Sequence, residues 1–136
     1  MRLEITRRAD LATRALLELS HEDRRMKASE LAARVDSTAG FLSQAMTPLV
    51  TRGWVRSEPG PAGGYLLDVE LGRVSVLDVI EAVEGPTDTV HCVLENRPCS
   101  GSGGHCALHR PWSTARSNLL TELAATPMSE LSGSPT

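Results

Sequence analysis

The sequence predicts a mainly α-helical protein that carries one small β-hairpin. Apolar residues recur at intervals of three and four along most of the chain, which is the spacing of one helix face. Near the middle, a hexapeptide rich in glycine and proline separates two short strand-like runs. With 136 residues, 40% of them apolar, the chain is long enough to bury a core without disulfides or metal ions.

Three helices are predicted before the hairpin, each from its own apolar stripe. The first stripe contains Leu11, Ala12, Ala15, Leu16 and Leu19. The second, on a short helix, contains Ala28, Leu31, Ala32 and Val35. The third contains Leu42, Ala45, Met46 and Leu49.

The third helix is bounded by residues with typical capping roles. Asp36 or Ser37 is expected to be its N-cap, because short polar side chains accept hydrogen bonds from the first helical amides. Gly53 is expected just past its C-terminus, where a left-handed backbone is common. Pro48 lies inside this helix and lacks an amide, so it predicts a kink or an early break there.

The predicted hairpin follows the third helix directly. The strand-like runs WVRSE and YLLDV flank PGPAGG, and two strands alone are barely stable, so they must pack on the helices. Helix, short helix, helix and hairpin is the order of a winged helix-turn-helix domain. A fourth helix then begins after Ser75, with Asp78 completing a capping box, and ends at Gly85.

The last third of the chain changes character. Residues 86–105 lack periodicity and are rich in Gly, Ser, Pro, Cys and His, which predicts a loop of about 20 residues that is either functional or disordered. A final helix follows, with Trp112, Ala115, Leu119 and Leu123 on one face, and ends near residues 126–127. The same helix of a second chain is the simplest cover for this face, so we expect a homodimer. The tail from Ser129 onward is expected to fray.

Charge is distributed unevenly along the chain. Residues 1–58 hold ten basic and eight acidic side chains, whereas residues 59–136 hold four and nine. A mildly basic first half permits DNA binding without arguing for it. No apolar run approaches the ~20 residues that span a bilayer, and the N-terminus has no signal-peptide core, so we expect a cytoplasmic protein without a membrane partner.

All three cysteines lie in the long loop, as Cys92, Cys99 and Cys106. An odd cysteine count in a reducing compartment argues against a disulfide framework. The clustering indicates a shared ligand, either zinc or an iron–sulfur cluster, with three unrelated thiols as the remaining interpretation. Zinc sites usually use shorter gaps between cysteines, so the two six-residue gaps favour the larger cofactor.

Several motifs occur in an order that resembles a known family. They are FLSQAMTPLVTRGWVRS, the wing GPAGGYLL, the helix SVLDVIEAVEG, the three cysteines, and CALHRPW followed by TPMSEL. Over residues 1–131 the chain resembles the iron–sulfur winged-helix transcription regulators typified by IscR and NsrR. The resemblance implies a homodimeric repressor of promoter DNA whose affinity is controlled by a cluster that senses redox state, nitric oxide or iron–sulfur status.

The resemblance also implies a ligand set and a domain division. Cys92, Cys99, Cys106 and His109 would hold the cluster, with a 2Fe–2S type favoured over 4Fe–4S. Asp10 of the partner chain is the alternative fourth ligand, although a salt bridge to a neighbouring arginine is the favoured role for it. The division is a winged-helix DNA-binding domain over residues 1–85, a cluster-binding loop over 86–109, and a dimerisation helix with a flexible tail over 110–136.

DNA contacts are expected from the third helix and the hairpin wing. The candidate base contacts are Thr38, Ser43 and Gln44, and the candidate phosphate contacts are Arg52 and Arg56. The wing glycines that permit close approach of backbone to phosphate are Gly60, Gly63 and Gly64.

Two other functional classes compete with a sensory regulator. A zinc-stabilised winged-helix DNA-binding protein without a sensory cluster is the alternative, since three thiolates and an imidazole also fit tetrahedral zinc. An enzyme is not expected. The sequence has no Cys-x-x-Cys pair, no recognisable nucleophile–base set, and no glycine-rich phosphate loop that joins a strand to a helix.

Overall fold

A computed structural model describes residues 1–87, 93–94 and 105–131. The α-helices in these residues are α1 (Arg7–Glu22), α2 (Ala28–Arg34), α3 (Ala39–Thr51), α4 (Val76–Glu84) and α5 (His109–Ala125). The strands are β1 (Val55–Glu58) and β2 (Gly64–Leu67), and short 3₁₀ helices span Leu71–Arg73 and Met128–Leu131. The predicted fold class, mainly helical with a two-stranded wing, is confirmed.

Helix α1 lies at the centre of the core. It packs against α3, α4, α2 and β2. Its buried face is the predicted stripe with Ala9 added at its start, and Leu11, Leu16 and Leu19 are almost completely excluded from solvent. The Thr6 hydroxyl accepts from the Ala9 amide at 3.1 Å and so caps the helix.

The N-cap of α3 is Thr38 and not the predicted Asp36 or Ser37. Asp36 has a left-handed backbone with φ of 55°, and the Ser37 amide donates to the Ala32 carbonyl at 2.8 Å, so both residues complete the end of α2. The Thr38 hydroxyl then accepts from the Phe41 amide at 3.1 Å. The predicted cap was wrong because the turn that closes α2 uses the two residues before Thr38.

The C-terminal half of α3 continues through Pro48 to Thr51, so a helix break at this proline is wrong. Proline removes only its own amide, and the buried Met46 and Leu49 hold the helix against the core on either side of it. The predicted end at Gly53 is confirmed. Gly53 has φ of 79°, and the amides of Gly53 and Trp54 donate to the preceding turn at 2.9 and 3.0 Å.

The wing is joined to the helical body through its second strand. β1 and β2 pair antiparallel, with Val55 opposite Leu67 and Glu58 opposite Gly64. On the other side of β2, Tyr65 exchanges two backbone hydrogen bonds with Met26, at 2.8 and 2.9 Å. Because Met26 lies just before α2, this bridge fixes the wing relative to the helix-turn-helix.

The capping box predicted at the start of α4 is confirmed. The Ser75 hydroxyl accepts from the Asp78 amide at 3.0 Å, and the Asp78 carboxylate accepts from the Ser75 amide at 2.9 Å. Gly85 ends the helix with φ of 89°. Both ends of α4 therefore agree with the sequence pattern.

The segment after α5 packs back onto the core. The Met128 amide donates to the Val74 carbonyl at 2.7 Å, and the Val76 amide donates to the Thr126 carbonyl at 2.9 Å. The Met128 side chain is fully buried. The expected fraying is therefore wrong for residues 129–131, which form the last 3₁₀ helix; residues 132–136 lie outside the described part.

In the described part of the chain, no helix combines the length and the apolar character needed to cross a membrane.

We expect Met128→Ala to lower the free energy of unfolding by about 2–5 kcal/mol, because it removes a fully buried side chain and leaves a cavity. Urea unfolding at a fixed protein concentration measures the change. The control is Glu130→Ala, an exposed position two residues on, where a change within about 0.5 kcal/mol is expected. Equal effects of the two variants would contradict the packing of this segment.

Candidate nucleic-acid interface and metal-ligand region

Helix α3 presents a polar face to solvent opposite its buried leucines. Ser43, Gln44 and Thr47 are exposed on this face. Gln44 offers an amide that can pair bidentately with adenine in the major groove. The predicted reader Thr38 is also exposed, but its hydroxyl oxygen already caps the helix.

Thr47 extends this polar face by one helical turn, and sequence reasoning missed it. Its hydroxyl donates to the Ser43 carbonyl at 2.9 Å, which fixes the rotamer of the side chain. The four-residue spacing from Ser43 was the signal in the sequence that placed both residues on one face. Residues 43, 44 and 47 together form the polar surface that α3 can present to a DNA groove.

The two predicted phosphate contacts have different surroundings. The Arg52 guanidinium lies over the Trp54 ring, 5.6 Å from its centroid, and Arg52 forms no ion pair within the described residues. The Arg56 Nε atom donates to the Asp68 carboxylate at 3.1 Å across the base of the wing. Asp68 therefore offsets much of the positive charge that Arg56 would bring to a phosphate.

The three wing glycines are required for different reasons. A Cβ atom at Gly63 would lie 2.0 Å from the Glu58 carbonyl oxygen, and one at Gly64 would lie 2.2 Å from the Met26 carbonyl oxygen. These two glycines are needed for the wing to close and to dock on the body. Gly60 has φ of 93° and open space around its Cβ position, so it is the glycine whose backbone is accessible at the wing tip.

Ion pairs anchor the wing and α2 to the rest of the domain. Arg25, before α2, reaches Glu58 of the wing at 2.7 Å. Arg24 is hydrogen-bonded to Glu30 on α2, and this bond holds the pKa of the Glu30 carboxyl below its ordinary value. Glu30 therefore remains ionised as the pH falls into the range where an isolated glutamate takes up a proton.

The described part of the cysteine loop adjoins the start of α5. Cys106 is half-buried, and its carbonyl accepts from the His109 amide at 3.1 Å. The His105 ring is stacked on the His109 ring, with centroids 3.6 Å apart. Cys92 and Cys99 lie outside the described residues, and within those residues no group of three or more His, Cys, Asp or Glu side chains is placed to hold a metal ion.

The donor types present at the start of α5 fit either zinc or an iron–sulfur cluster. A thiol at Cys106 and an imidazole at His109, three residues apart, are soft and borderline donors that suit iron–sulfur clusters and zinc. His105 is in contact with this pair only through the stacking of its ring on His109.

Asp10, the alternative fourth ligand, forms the local salt bridge that was the favoured expectation. Its carboxylate accepts from Arg14 Nε at 3.2 Å, and Arg14 also donates to the Val35 carbonyl at 2.9 Å. The other neighbouring arginine, Arg7, lies over the Phe41 ring, with 5.9 Å between Cζ and the ring centroid. Asp10 is exposed, so the carboxylate is also accessible from outside the chain.

Comparison with family models identifies the protein class. The model of Rrf2, described as an iron-dependent transcriptional regulator, matches residues 5–133. The chain belongs to the Rrf2 family of transcriptional regulators. Members of this family act as regulators and not as enzymes, in agreement with the interpretation of the sequence.

Curated relatives and solved structures agree with the Rrf2 assignment. The regulator IscR of Xenorhabdus nematophila is 28% identical over 131 residues, which cover 95% of this chain and 79% of the relative. IscR of Cronobacter sakazakii is 30% identical over 112 residues, covering 81% and 68%. CymR of B. subtilis, the global cysteine regulator, has a TM-score of 0.79 at 23% identity, covering 99% of this chain and 100% of CymR. T. potens IscR has a TM-score of 0.73 at 18% identity, covering 95% and 85%, and both structural likenesses concern the fold alone.

For an Rrf2 regulator, Gln44→Ala should weaken binding to the preferred DNA site by about 1–3 kcal/mol, because a bidentate base contact is lost. The preferred site is obtained by selection from random duplexes with the wild type. Fluorescence anisotropy at one salt concentration then compares the selected duplex with a scrambled one.

The matched control for Gln44 is Asn118→Ala, an exposed amide on α5. This variant should bind both duplexes like the wild type. An equal loss on selected and scrambled DNA after Gln44→Ala would contradict a base-reading role.

Proposed function

We propose that the chain is a homodimeric DNA-binding repressor whose promoter affinity is controlled by an iron–sulfur cluster held by Cys92, Cys99, Cys106 and His109. The observation that carries this proposal is the position of Cys106 and His109 at the start of α5, a helix none of whose residues is buried in the described chain. The description of the family as iron-dependent and the similarity to IscR proteins support it.

His109 is the favoured fourth ligand over Asp10 of a partner chain. Asp10 is already paired with Arg14, so its use as a ligand would break a salt bridge, whereas His109 is only three residues from Cys106. Three thiolates and one imidazole suit a 2Fe–2S cluster, which we favour over 4Fe–4S. Such a cluster supplies redox-sensitive ligation, so redox state, nitric oxide or iron–sulfur supply are the proposed signals.

Helix α5 supports homodimer formation. No residue of α5 is fully buried within the described chain, and Leu119 is 47% exposed. An apolar groove runs beside it, lined by Trp112, Leu119, Leu120 and the N-terminal Leu3, which is 74% exposed. An apolar surface of this kind is best covered by the same surface of a second copy.

The contacts between helices offer a route from the cysteine region to the DNA. α5 packs on α4, and α4 packs on both α1 and α3. A cluster bound by Cys106 and His109 would therefore change the angle between α5 and the helices α1, α3 and α4. In a dimer formed through α5, this angle would set the separation of the two α3 helices. DNA affinity is sensitive to that separation, because two half-sites lie about one helical turn apart.

The ligand proposal is tested by purification without oxygen, followed by absorbance near 400 nm and by iron and sulfide analysis. We expect a coloured wild type with iron and sulfide in equal amounts, and an altered spectrum for His109→Ala. His105→Ala is the matched control, since it removes the stacked neighbour and should retain the native spectrum. A colourless protein that contains zinc would overturn the proposal in favour of the zinc-stabilised alternative.

The same preparations test the switch. Cluster-loaded and cluster-free samples should differ in affinity for the selected duplex at one salt concentration. Equal affinities would contradict control by the cluster while leaving DNA binding intact.

The dimer proposal predicts that Leu119→Glu shifts the protein toward a monomer, because it places a charge on the exposed apolar face of α5. Sedimentation velocity measures the shift, and circular dichroism checks that the fold is retained. Thr121→Glu, an exposed position on another face of the same helix, is the control and should remain dimeric. A folded Leu119→Glu dimer would contradict the assignment of this face.

A further inference from the structure

Most basic side chains in the first 58 residues are paired with carboxylates. Six of the ten form ion pairs within the described residues: Arg2, Arg14, Arg24, Arg25, Arg34 and Arg56. The remaining four, Arg7, Arg8, Lys27 and Arg52, form no ion pair there. Cations that are not offset by a carboxylate bring the most charge to a phosphate, so these four are the candidate phosphate contacts of the first 58 residues.

Lys27 is the one of these four cations that lines the groove beside the wing. The groove, about 410 Å³ in volume, runs between the wing and the start of α2 and is lined by Lys27, Ser29, Ser57, Glu58 and Gly60 among others. Lys27, Ser29 and Ser57 are all exposed. The wing forms the outer wall of this groove and is held in place by the Met26–Tyr65 bridge and by the Arg25–Glu58 ion pair.

The groove has the chemistry of a phosphate site. The one carboxylate among these residues, Glu58, is neutralised by Arg25 at 2.7 Å, so the Lys27 ammonium is left as the net charge. The hydroxyls of Ser29 and Ser57 are exposed and can donate hydrogen bonds to phosphate oxygens. The space around Gly60 is open, so a phosphate can approach its backbone closely.

We propose that Lys27 binds a phosphate of a DNA strand lying in this groove and thereby positions α3 over its site. The inference rests on the DNA binding assigned to the family and adds the strand path between the wing and α2. The ammonium acts as a point charge on a flexible stem, so the contact is independent of base sequence. Lys27 is thus a positioning residue, and Gln44 and its neighbours on α3 remain the candidate base readers.

Lys27 is the only lysine in the chain, which permits a direct test. An amine-selective acetylating reagent modifies only Lys27 and the N-terminal amine, and peptide mass spectrometry separates the two sites. On the full chain, saturating random-sequence duplex should slow acetylation of Lys27 several-fold and leave the N-terminal amine unchanged. Unchanged acetylation of Lys27 in saturated complexes would overturn the proposal.

Salt dependence gives a second, independent measurement. One phosphate contact contributes about 0.9 to the slope of log affinity against log salt. Lys27→Ala should lower the slope by about that amount on any duplex, and Lys27→Arg should restore it. Glu58→Gln should raise the slope, because it releases Arg25 into the groove.

The control for these variants is Arg73→Ala, which removes an arginine already paired with Glu70 and should leave the slope unchanged. A wild-type slope in a folded Lys27→Ala variant would overturn the strand path while DNA binding itself stands. Absence of any salt-dependent binding by the wild type would overturn DNA binding and the strand path together.

Discussion

The burial of helix α1 is the interaction on which the rest of the structure depends. Its alanines at 9, 12 and 15 allow neighbouring backbones to approach closely, and its leucines fill the space between α3 and α4. This contact sets the orientation of α3, and therefore of the polar face that carries Gln44. It also anchors α4, on which α5 packs, so the polar face of α3 and the start of α5 beside Cys106 share one support.

The wing depends on that core in a different way, because two short strands cannot stand alone. Tyr65 is buried against the body and bonds to Met26, and Gly64 leaves room for that approach. The Arg25–Glu58 ion pair adds a second tie at the far end of β1. The position of the wing is therefore specified by contacts with the segment before α2, and these contacts form one side of the groove between the wing and α2.

Features set by local chemistry could be predicted from the sequence. The Ser75–Asp78 capping box and the left-handed Gly53 need only a few consecutive residues, and both were predicted at the right positions. The predicted N-cap of α3 was wrong because three consecutive polar residues, Asp36, Ser37 and Thr38, can each cap a helix. The turn that ends α2 uses the first two, which leaves Thr38 as the cap. Met128 was missed because its burial depends on a strand-like contact with Val74, more than fifty residues earlier in the chain.

For the candidate DNA contacts too, features that depend on neighbouring residues were predictable, and features that depend on residues distant in sequence were not. Helical spacing placed Ser43 and Gln44 on an exposed face without further knowledge of the fold. The electrostatic environment of each arginine could not be inferred this way, because Asp68 pairs with Arg56 from twelve residues away and Glu58 pairs with Arg25 from thirty-three. Charge counts along the sequence treat these arginines as equal, whereas folding offsets some and leaves others without a carboxylate.

This selective pairing explains how an acidic chain can attract DNA. The net charge of −3 describes the whole molecule, but phosphates respond to charges within about 10 Å at moderate salt. Several arginines near α3 are paired with carboxylates, and the cations without an ion pair in the described residues include Arg7 near Phe41 at the start of α3, Arg52 at its end, and Lys27 beside the wing. Under the proposed binding mode, cations at separate positions would orient a duplex, whereas a uniformly basic surface attracts DNA without orienting it.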